Sequence, residues 1–261
     1  MQQSPIGIFD SGVGGLTILS EIQKILPLES CIYVADQKYA PYGEKTKQEI
    51  QKRAVNISRF LLKKNVKLII VACNTATIAS IGKLRKTFKV PIIGVVPVVK
   101  KAAEKTKTKK IAIFATPSTT KSAYLDELIK SYASGVDVMK DGATGLEKLI
   151  EAGNVKNLKI QDTLLRHLLP LKTAGVDVIA LGCTHYPFVK NQIQEIVGKN
   201  VLVLDSGGAV ARQTKRILEA NNTLAEKKGK DWYYTTGNNT EFSQLVEKLT
   251  IQKIHTEHIT I

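Results

Sequence analysis

The stretch Leu68-Ile69-Ile70-Val71-Ala72-Cys73-Asn74-Thr75 has a counterpart 110 residues later in Val178-Ile179-Ala180-Leu181-Gly182-Cys183-Thr184-His185. Each is a short apolar run that closes on a small residue, a cysteine and then small hydrogen-bonding side chains. Apolar runs of this length, with no polar residue at alternate positions, suit parallel strands covered on both faces. Outward from this pair, similar β-branched or leucine-rich runs predict strands at 6–10, 30–35, 68–72, 92–95, 111–115, 136–139, 178–181 and 201–204. The segments between them are amphipathic. Residues 48–64, for example, place Ile50, Ala54, Ile57, Phe60 and Leu61 on one helical face. Strand and helix alternate over most of the chain, which predicts a parallel, doubly wound α/β architecture.

The internal echo extends this to two similar parallel-sheet α/β domains, with Cys73 and Cys183 on opposite walls of an active-site cleft between them. A second echo pairs Phe9-Asp10-Ser11-Gly12 with Leu204-Asp205-Ser206-Gly207. The expected division is 1–97 plus 212–261 for the first domain and 98–211 for the second. The basic stretch 100–110 is the candidate crossover. Trp232-Tyr233-Tyr234-Thr235-Thr236-Gly237 is expected to return and cover the first domain.

Composition narrows the class. The chain has 261 residues, 43% hydrophobic and 23% charged, as for a globular enzyme. No apolar stretch approaches the roughly 20 residues needed to cross a bilayer. The first residues lack the order of a signal peptide, so no membrane association and a cytoplasmic location are expected. The formal charge of +15 comes with lysine runs at 100–110 and 226–230. Those runs are not interleaved with aromatics, so a solvated basic surface is expected rather than nucleic-acid binding as a main role. The three cysteines, Cys31, Cys73 and Cys183, form no CxxC and no metal-ligand spacing. They are expected to be reduced thiols.

In open α/β sheets ligands bind at the carboxyl ends of the strands. The residues following the apolar runs are Asp10-Ser11-Gly12, Asp36, Cys73-Asn74-Thr75, Thr116-Pro117, Cys183-Thr184-His185 and Asp205-Ser206-Gly207. Cys73 and Cys183 stand where helices are expected to begin, and a helix N-terminus favours a thiolate over its ordinary pKa of about 8.5. One such cysteine alone reads as buried filler; two in matched places are as well suited to chemistry. Asn74, Thr75 and Thr184 are small donors and acceptors fit to hold a carboxylate or ammonium group. Cys31, inside a strand, reads as core. Asp10 opens a glycine-rich turn able to meet an anion, or serves as a helix N-cap. The glycines fall short of a dinucleotide fingerprint, with Thr17 where a third glycine belongs. His185 is placed to relay a thiol proton. His167, His255 and His258 read as solvated or structural, and Glu151 as a surface carboxylate at a helix end.

Several blocks resemble the glutamate racemase family within the wider aspartate/glutamate racemase group. They are the residues from Gly7 to Thr17, Asp36 with Pro41-Tyr42-Gly43-Glu44-Lys45, Ala72-Cys73-Asn74-Thr75-Ala76, Thr116-Pro117-Ser118-Thr119, Glu151-Ala152-Gly153, Leu181-Gly182-Cys183-Thr184-His185-Tyr186-Pro187, and Asp205-Ser206-Gly207. The family commonly carries a Cys-Pro pair shortly before the Glu151 helix, where this chain has Thr144-Gly145. The last 45 residues match least.

The resemblance implies an isomerase that interconverts L- and D-glutamate without cofactor or metal and supplies D-glutamate for peptidoglycan synthesis, and thereby for cell-wall biogenesis and cell shape. It implies Cys73 as the base acting on D-glutamate and Cys183 as the base acting on L-glutamate, because racemisation needs a proton removed from one face and returned to the other. Asp10 would assist Cys73, with His185 and Glu151 supporting Cys183. Ser11, Pro41, Tyr42, Gly43, Asn74, Thr75, Thr119 and Thr184 would hold the substrate. A homodimer is left open. Aspartate racemisation is the nearest rival activity. A DNA-binding regulator, indifferent to the thiols, and a thiol-redox protein are rivals from other classes.

Overall fold

The computed structural model describes residues 2–261. The chain forms two compact units, one made of residues up to Val95 together with Gly207–Ile261, the other of Val96–Ser206. The first begins with β1 (Ile6–Asp10), β2 (Cys31–Ala35), β3 (Leu68–Val71) and β4 (Ile92–Gly94). The second holds β5 (Lys110–Ala115), β6 (Asp137–Gly142), β7 (Val178–Gly182) and β8 (Leu202–Leu204). The chain then returns to the first unit with β9 (Trp232–Thr235) and β10 (Thr256–His258). The sheets run β10-β9-β2-β1-β3-β4 and β6-β5-β7-β8, and every pairing is parallel.

All eight strands expected from the apolar runs form, with ends moved by one or two residues in most cases. The edge strand β6 is longer than expected, taking in Lys140, Asp141 and Gly142. Sequence periodicity finds core-facing runs, and this edge extension is held by its ladder to β5 instead. Strands β9 and β10 were not among the expected set. Trp232-Tyr233-Tyr234-Thr235 is a β-favouring run that pairs with β2 from Ile32 to Ala35.

Strands β1, β2, β3 and β7 are buried along their whole length, as expected where helices cover both sheet faces. Phe9, Val34, Val71 and Leu61 pack in one cluster of the first unit, and Phe114, Leu146, Leu164 and Tyr186 in one of the second. Each such side chain contributes roughly 1.5–3 kcal/mol by burial. The long helix Lys47–Lys63 opens on a capping box, in which Thr46 Oγ1 accepts from the Glu49 N–H and the Glu49 carboxylate accepts from the Thr46 N–H. No helix among the described residues is long and apolar enough to cross a membrane.

The order of β1 to β4, 2-1-3-4, is repeated by β5 to β8 as 6-5-7-8. Strands β3 and β7 are therefore equivalent, and the echo between the two cysteine stretches is an echo of topology. The Asp10 and Asp205 echo is not, since Asp10 ends β1 and Asp205 follows β8. By register, the places equivalent to Asp10 and Ser11 are held by Ala115 and Thr116.

Candidate active site

In the first unit the chain passes from β1 to β2 on one side and later to β3 on the other, so the strand order reverses between β1 and β3. The crevice at the carboxyl ends of these two strands is a topological switch point. Asp10 ends β1, and Cys73 stands two residues beyond β3. The Ala72 N–H still donates to the Phe9 carbonyl at 2.8 Å, so pairing continues up to the residue before the thiol.

Asp10 is fully buried. One carboxylate oxygen accepts from the Gly12 N–H at 2.8 Å and from the Ser11 hydroxyl at 3.4 Å. The helix Leu16–Ile25 is entered through Gly15 with no side-chain cap, so Asp10 is not its N-cap. It braces the glycine turn instead. Ser11 Oγ lies 3.9 Å from Cys73 Sγ, joining Asp10 to the thiol through one hydroxyl. The turn can lie this close because Gly15 has no Cβ; one there would stand 2.8 Å from both Asp10 Cβ and the Tyr33 hydroxyl oxygen. The Tyr33 hydroxyl in turn donates to the Gly12 carbonyl at 2.6 Å.

Cys73 is the N-cap of the helix Asn74–Thr87, and its sulfur accepts from the Ala76 N–H at 3.4 Å. The sulfur thus sits at the positive end of a 14-residue helix. Thr77 fixes that end: its hydroxyl donates to the Val71 carbonyl and accepts from the Val95 N–H, both at 3.1 Å. Asn74 is buried, and its side-chain NH2 has no hydrogen-bond partner among the described residues. A buried donor left unmatched costs about 1–3 kcal/mol, which suits it to meet an acceptor on a bound molecule. Thr75, one residue on, is also buried.

Tyr42 packs in the same cluster as Cys73, and its hydroxyl donates to Asp36 at 2.5 Å. Burial, then the charges of Asp36 and Cys73, push its phenol well above the ordinary range, so it is a neutral donor. Its hydroxyl is committed to Asp36. What the 41–43 segment offers a substrate is therefore the ring edge and the backbone, with Gly43 exposed.

In the second unit the switch point lies between β5 and β7, and Cys183 follows β7 directly. Gly182 pairs with Ala115. A Cβ on Gly182 would stand 2.7 Å from Ala115 Cβ and 3.0 Å from Pro97 Cγ. The α-helix expected to begin at Cys183 does not. A 3-10 turn, Tyr186–Val189, intervenes before the helix Lys190–Val197, because Pro187 stands at its start and Tyr186 is pinned. The buried Tyr186 hydroxyl donates to the Ala115 and Ala143 carbonyls at 3.1 and 3.3 Å, tying the loop after Cys183 to β5 and to the residue just past β6.

The polar partner of Cys183 is an imidazole. His185 Nδ1 lies 3.7 Å from Cys183 Sγ, and Nε2 lies 2.7 Å from a Glu151 carboxylate oxygen. Burial by itself would push His185 down. The hydrogen bonds to Cys183 and Glu151, and their charges, outweigh it and hold the imidazole well above its ordinary value. Glu151 is accordingly not the surface carboxylate suggested by its helix-end position; its side chain is 18% exposed and its oxygen is engaged. The departure at Thr144-Gly145 does not displace it. Gly145 adopts φ +77° and opens the helix Leu146–Glu151, a conformation natural to glycine.

Thr184 is buried beside Cys183. Thr119 is fully buried, and its hydroxyl oxygen accepts from the Thr116 hydroxyl at 3.1 Å. His167 Nδ1 lies 2.7 Å from an Asp141 carboxylate oxygen. Asp205 pairs with Lys190 at 2.6 Å, away from the switch point. Cys31 is fully buried inside β2, where burial and then the charge of Asp231 push its thiol far up. No group of three or more His, Cys, Asp or Glu side chains among the described residues is placed to hold a metal ion.

Residue types alone did not single out Tyr33, Arg53, Tyr186 or Thr236. Arg53 had a signal, since it lies between Ile50 and Ala54 on the apolar face of its helix, where an unpaired guanidinium would not be tolerated.

Residues 16–214 match the family model described as Asp/Glu/Hydantoin racemase. A glutamate racemase of Herpetosiphon aurantiacus is 41% identical over 97% of this chain and 100% of its own length. The crystal structure of a glutamate racemase isoform from Bacillus anthracis superposes with a TM-score of 0.93 at 30% identity, over 100% of this chain and 99% of that one. That of Escherichia coli glutamate racemase, in complex with L-glutamate and the activator UDP-MurNAc-ala, gives 0.86 at 31% identity, over 98% and 97%. Similar in sequence over most of its length and in fold throughout, the chain belongs to the Asp/Glu/hydantoin racemase family and is an amino-acid racemase.

Proposed function

We propose that this protein interconverts L-glutamate and D-glutamate without a cofactor, with Cys73 and Cys183 as the two bases. The observation that carries the proposal is that each sheet ends its switch-point crevice in a cysteine flanked by buried small polar residues. The E. coli relative was crystallised with L-glutamate, which favours the same substrate here.

The chemistry follows from the residue types. One sulfur, as thiolate, takes the Cα proton; the electron pair of the broken C–H bond stays on the substrate and spreads into its carboxylate. The other sulfur, as thiol, delivers its proton to the opposite face. Nothing is oxidised or reduced, and the two sulfurs have exchanged protonation states. Starting from L-glutamate, Cys183 abstracts and Cys73 donates; starting from D-glutamate, the roles reverse. His185, held as a cation by Glu151, steadies negative charge on Cys183 and carries its proton. At Cys73 the partner is an anion rather than a cation: Asp10, through the Ser11 hydroxyl, is placed to take up the thiol proton when this sulfur acts as the base. Asn74, Thr75, Thr184 and Thr119, with Ser11 and the 41–43 segment, hold the carboxylates and ammonium group. Preorganised donors of this kind stabilise the charge that develops as the proton leaves. The D-glutamate would supply peptidoglycan synthesis.

The test is a chiral assay of both enantiomers, with aspartate in parallel. Wild type should turn over glutamate in preference to aspartate, and Cys73→Ala and Cys183→Ala should each abolish racemisation. Near wild-type turnover by either variant defeats the two-cysteine assignment, and equal turnover of aspartate defeats the substrate.

A further inference from the structure

Asp36 is a buried carboxylate with every acceptor position used. Oδ1 accepts from Arg53 Nη2 at 2.7 Å and from the Thr236 hydroxyl at 2.9 Å. Oδ2 accepts from Arg53 Nε at 2.9 Å and from the Tyr42 hydroxyl at 2.5 Å. A carboxylate has about four lone-pair sites, so Asp36 has none to offer a substrate and cannot serve as a base. What it does is join three distant parts of the first unit. Arg53 comes from the helix Lys47–Lys63, Thr236 from the residue after β9, and Tyr42 from the segment beside Cys73.

The hub is itself anchored. The Asp36 N–H donates to the Asp10 carbonyl at 2.9 Å, and the Thr236 N–H to the Ala35 carbonyl at 3.0 Å. Arg53 lies 3.9 Å over the Tyr39 ring, and its Nη1 donates to the Ile261 carbonyl. A guanidinium binding a carboxylate through two N–H groups fixes its plane as well as its place. The Tyr42 hydroxyl is thereby held at one point, and the short turn 41–43 with it.

We propose that Arg53 and Thr236 are positioning residues of the substrate site, acting through Asp36 to hold Tyr42 and the 41–43 turn in their binding geometry. The proposal rests on the function proposed above. It assigns a role in the reaction to Thr236, which lies beyond the 16–214 span of the family match. Neither residue touches the cysteines, so their loss should loosen substrate binding more than it slows proton transfer.

The experiment is steady-state racemisation of both glutamate enantiomers by Thr236→Val, Thr236→Ser and Arg53→Lys, with thermal unfolding of each. Valine keeps the shape of threonine and removes only the hydroxyl. Thr236→Val and Arg53→Lys should each raise KM about tenfold, the worth of a hydrogen bond to a charged group, with kcat within about threefold. Thr236→Ser should restore the wild-type KM. Tyr42→Phe cuts the same chain at its other end, and Tyr42→Phe with Thr236→Val should raise KM by less than the product of the single effects. It also serves if Arg53→Lys fails to fold. A purely structural role predicts a smaller active fraction, hence lower kcat at unchanged KM, and that result overturns the proposal. So does a Thr236→Ser variant no better than Thr236→Val. A wild type that turns over no glutamate overturns the functional assignment, and this proposal with it.

Discussion

His185 Nε2 stands 2.7 Å from a carboxylate oxygen of Glu151, a residue 34 positions earlier in the chain. The pair is almost wholly buried, and the opposite ring nitrogen faces Cys183. Cys183 and Glu151 thus bracket the imidazole and together raise its pKa, and in the proposed mechanism it serves the sulfur. His185→Gln should lower kcat/KM about 100-fold or more, as for loss of a positioned acid or base. L- and D-glutamate have equal free energy, so kcat/KM must fall by the same factor in both directions. Full progress curves from each enantiomer check this. An unchanged kcat/KM would show that Cys183 works without the imidazole.

The same pair has a pH signature. His185 is held above its ordinary value of 6.5 in the folded protein. Its contribution to stability is then complete below about pH 6.5 and is lost as the pH rises through the higher folded value. The stability difference between wild type and His185→Gln should accordingly be largest near pH 6 and shrink on the alkaline side. Denaturant titrations at several pH values measure it. A difference that grows with pH would mean the folded imidazole is held neutral.

Lys67 and Glu29 form a 2.6 Å ion pair at the end of the sheet opposite the site, with side chains 1% and 2% exposed. Lys67 Nζ also donates to the Gln2 and Thr223 carbonyls at 2.7 and 2.6 Å, fastening the segment before β9. Lys67→Met should cost about 3–5 kcal/mol by stranding a buried carboxylate. A second change, Glu29→Gln, should recover part of this loss. Turnover per folded molecule should stay unchanged.

Gly182, the last residue of β7, predicts overpacking. Gly182→Ala forces a Cβ to within 2.7 Å of Ala115 Cβ. It should cost about 1–3 kcal/mol and lower turnover, since the displaced residue is followed by Cys183. Gly43→Ala, where a Cβ meets nothing within 4 Å, should leave stability unaltered.

Much of this molecule is legible in its sequence, and the boundary of what is legible has physical causes. Buried parallel strands announce themselves as apolar runs, and the polar residues just past them mark the switch-point crevices without further information. The cysteine echo is legible for the same reason, since β3 and β7 occupy equivalent places. The Asp10 and Asp205 echo misleads because a strand followed by Asp-Ser-Gly is a local event and says nothing of sheet order. Glu151 is opaque because its partner is 34 residues away. The hub at Asp36 is opaque because Thr236 reaches it across 200 residues. Arg53 alone left a trace, a cation on an apolar helical face. The 3-10 turn after Cys183 reflects Tyr186 bonding to the carbonyls of Ala115 in β5 and Ala143 just past β6, and no local propensity predicts that.

Cys31 supplies the control for the two-cysteine claim. It is fully buried, and its thiol is pushed far up by burial, so iodoacetamide should leave it unlabelled in the folded protein. Cys31→Ala should keep glutamate turnover within about twofold while losing about 1–2 kcal/mol of stability. A large loss of turnover at full folding would give Cys31 a role that its position denies.

The most direct measurement of the mechanism is racemisation of L-glutamate in D2O, sampled at early times by mass spectrometry after chiral separation. Two separate bases predict that the D-glutamate formed carries one deuterium at Cα while the remaining L-glutamate is still protiated. D-glutamate that keeps the protium of its parent would mean that one group removes and returns the same proton, and the assignment of Cys73 and Cys183 to opposite faces would be wrong.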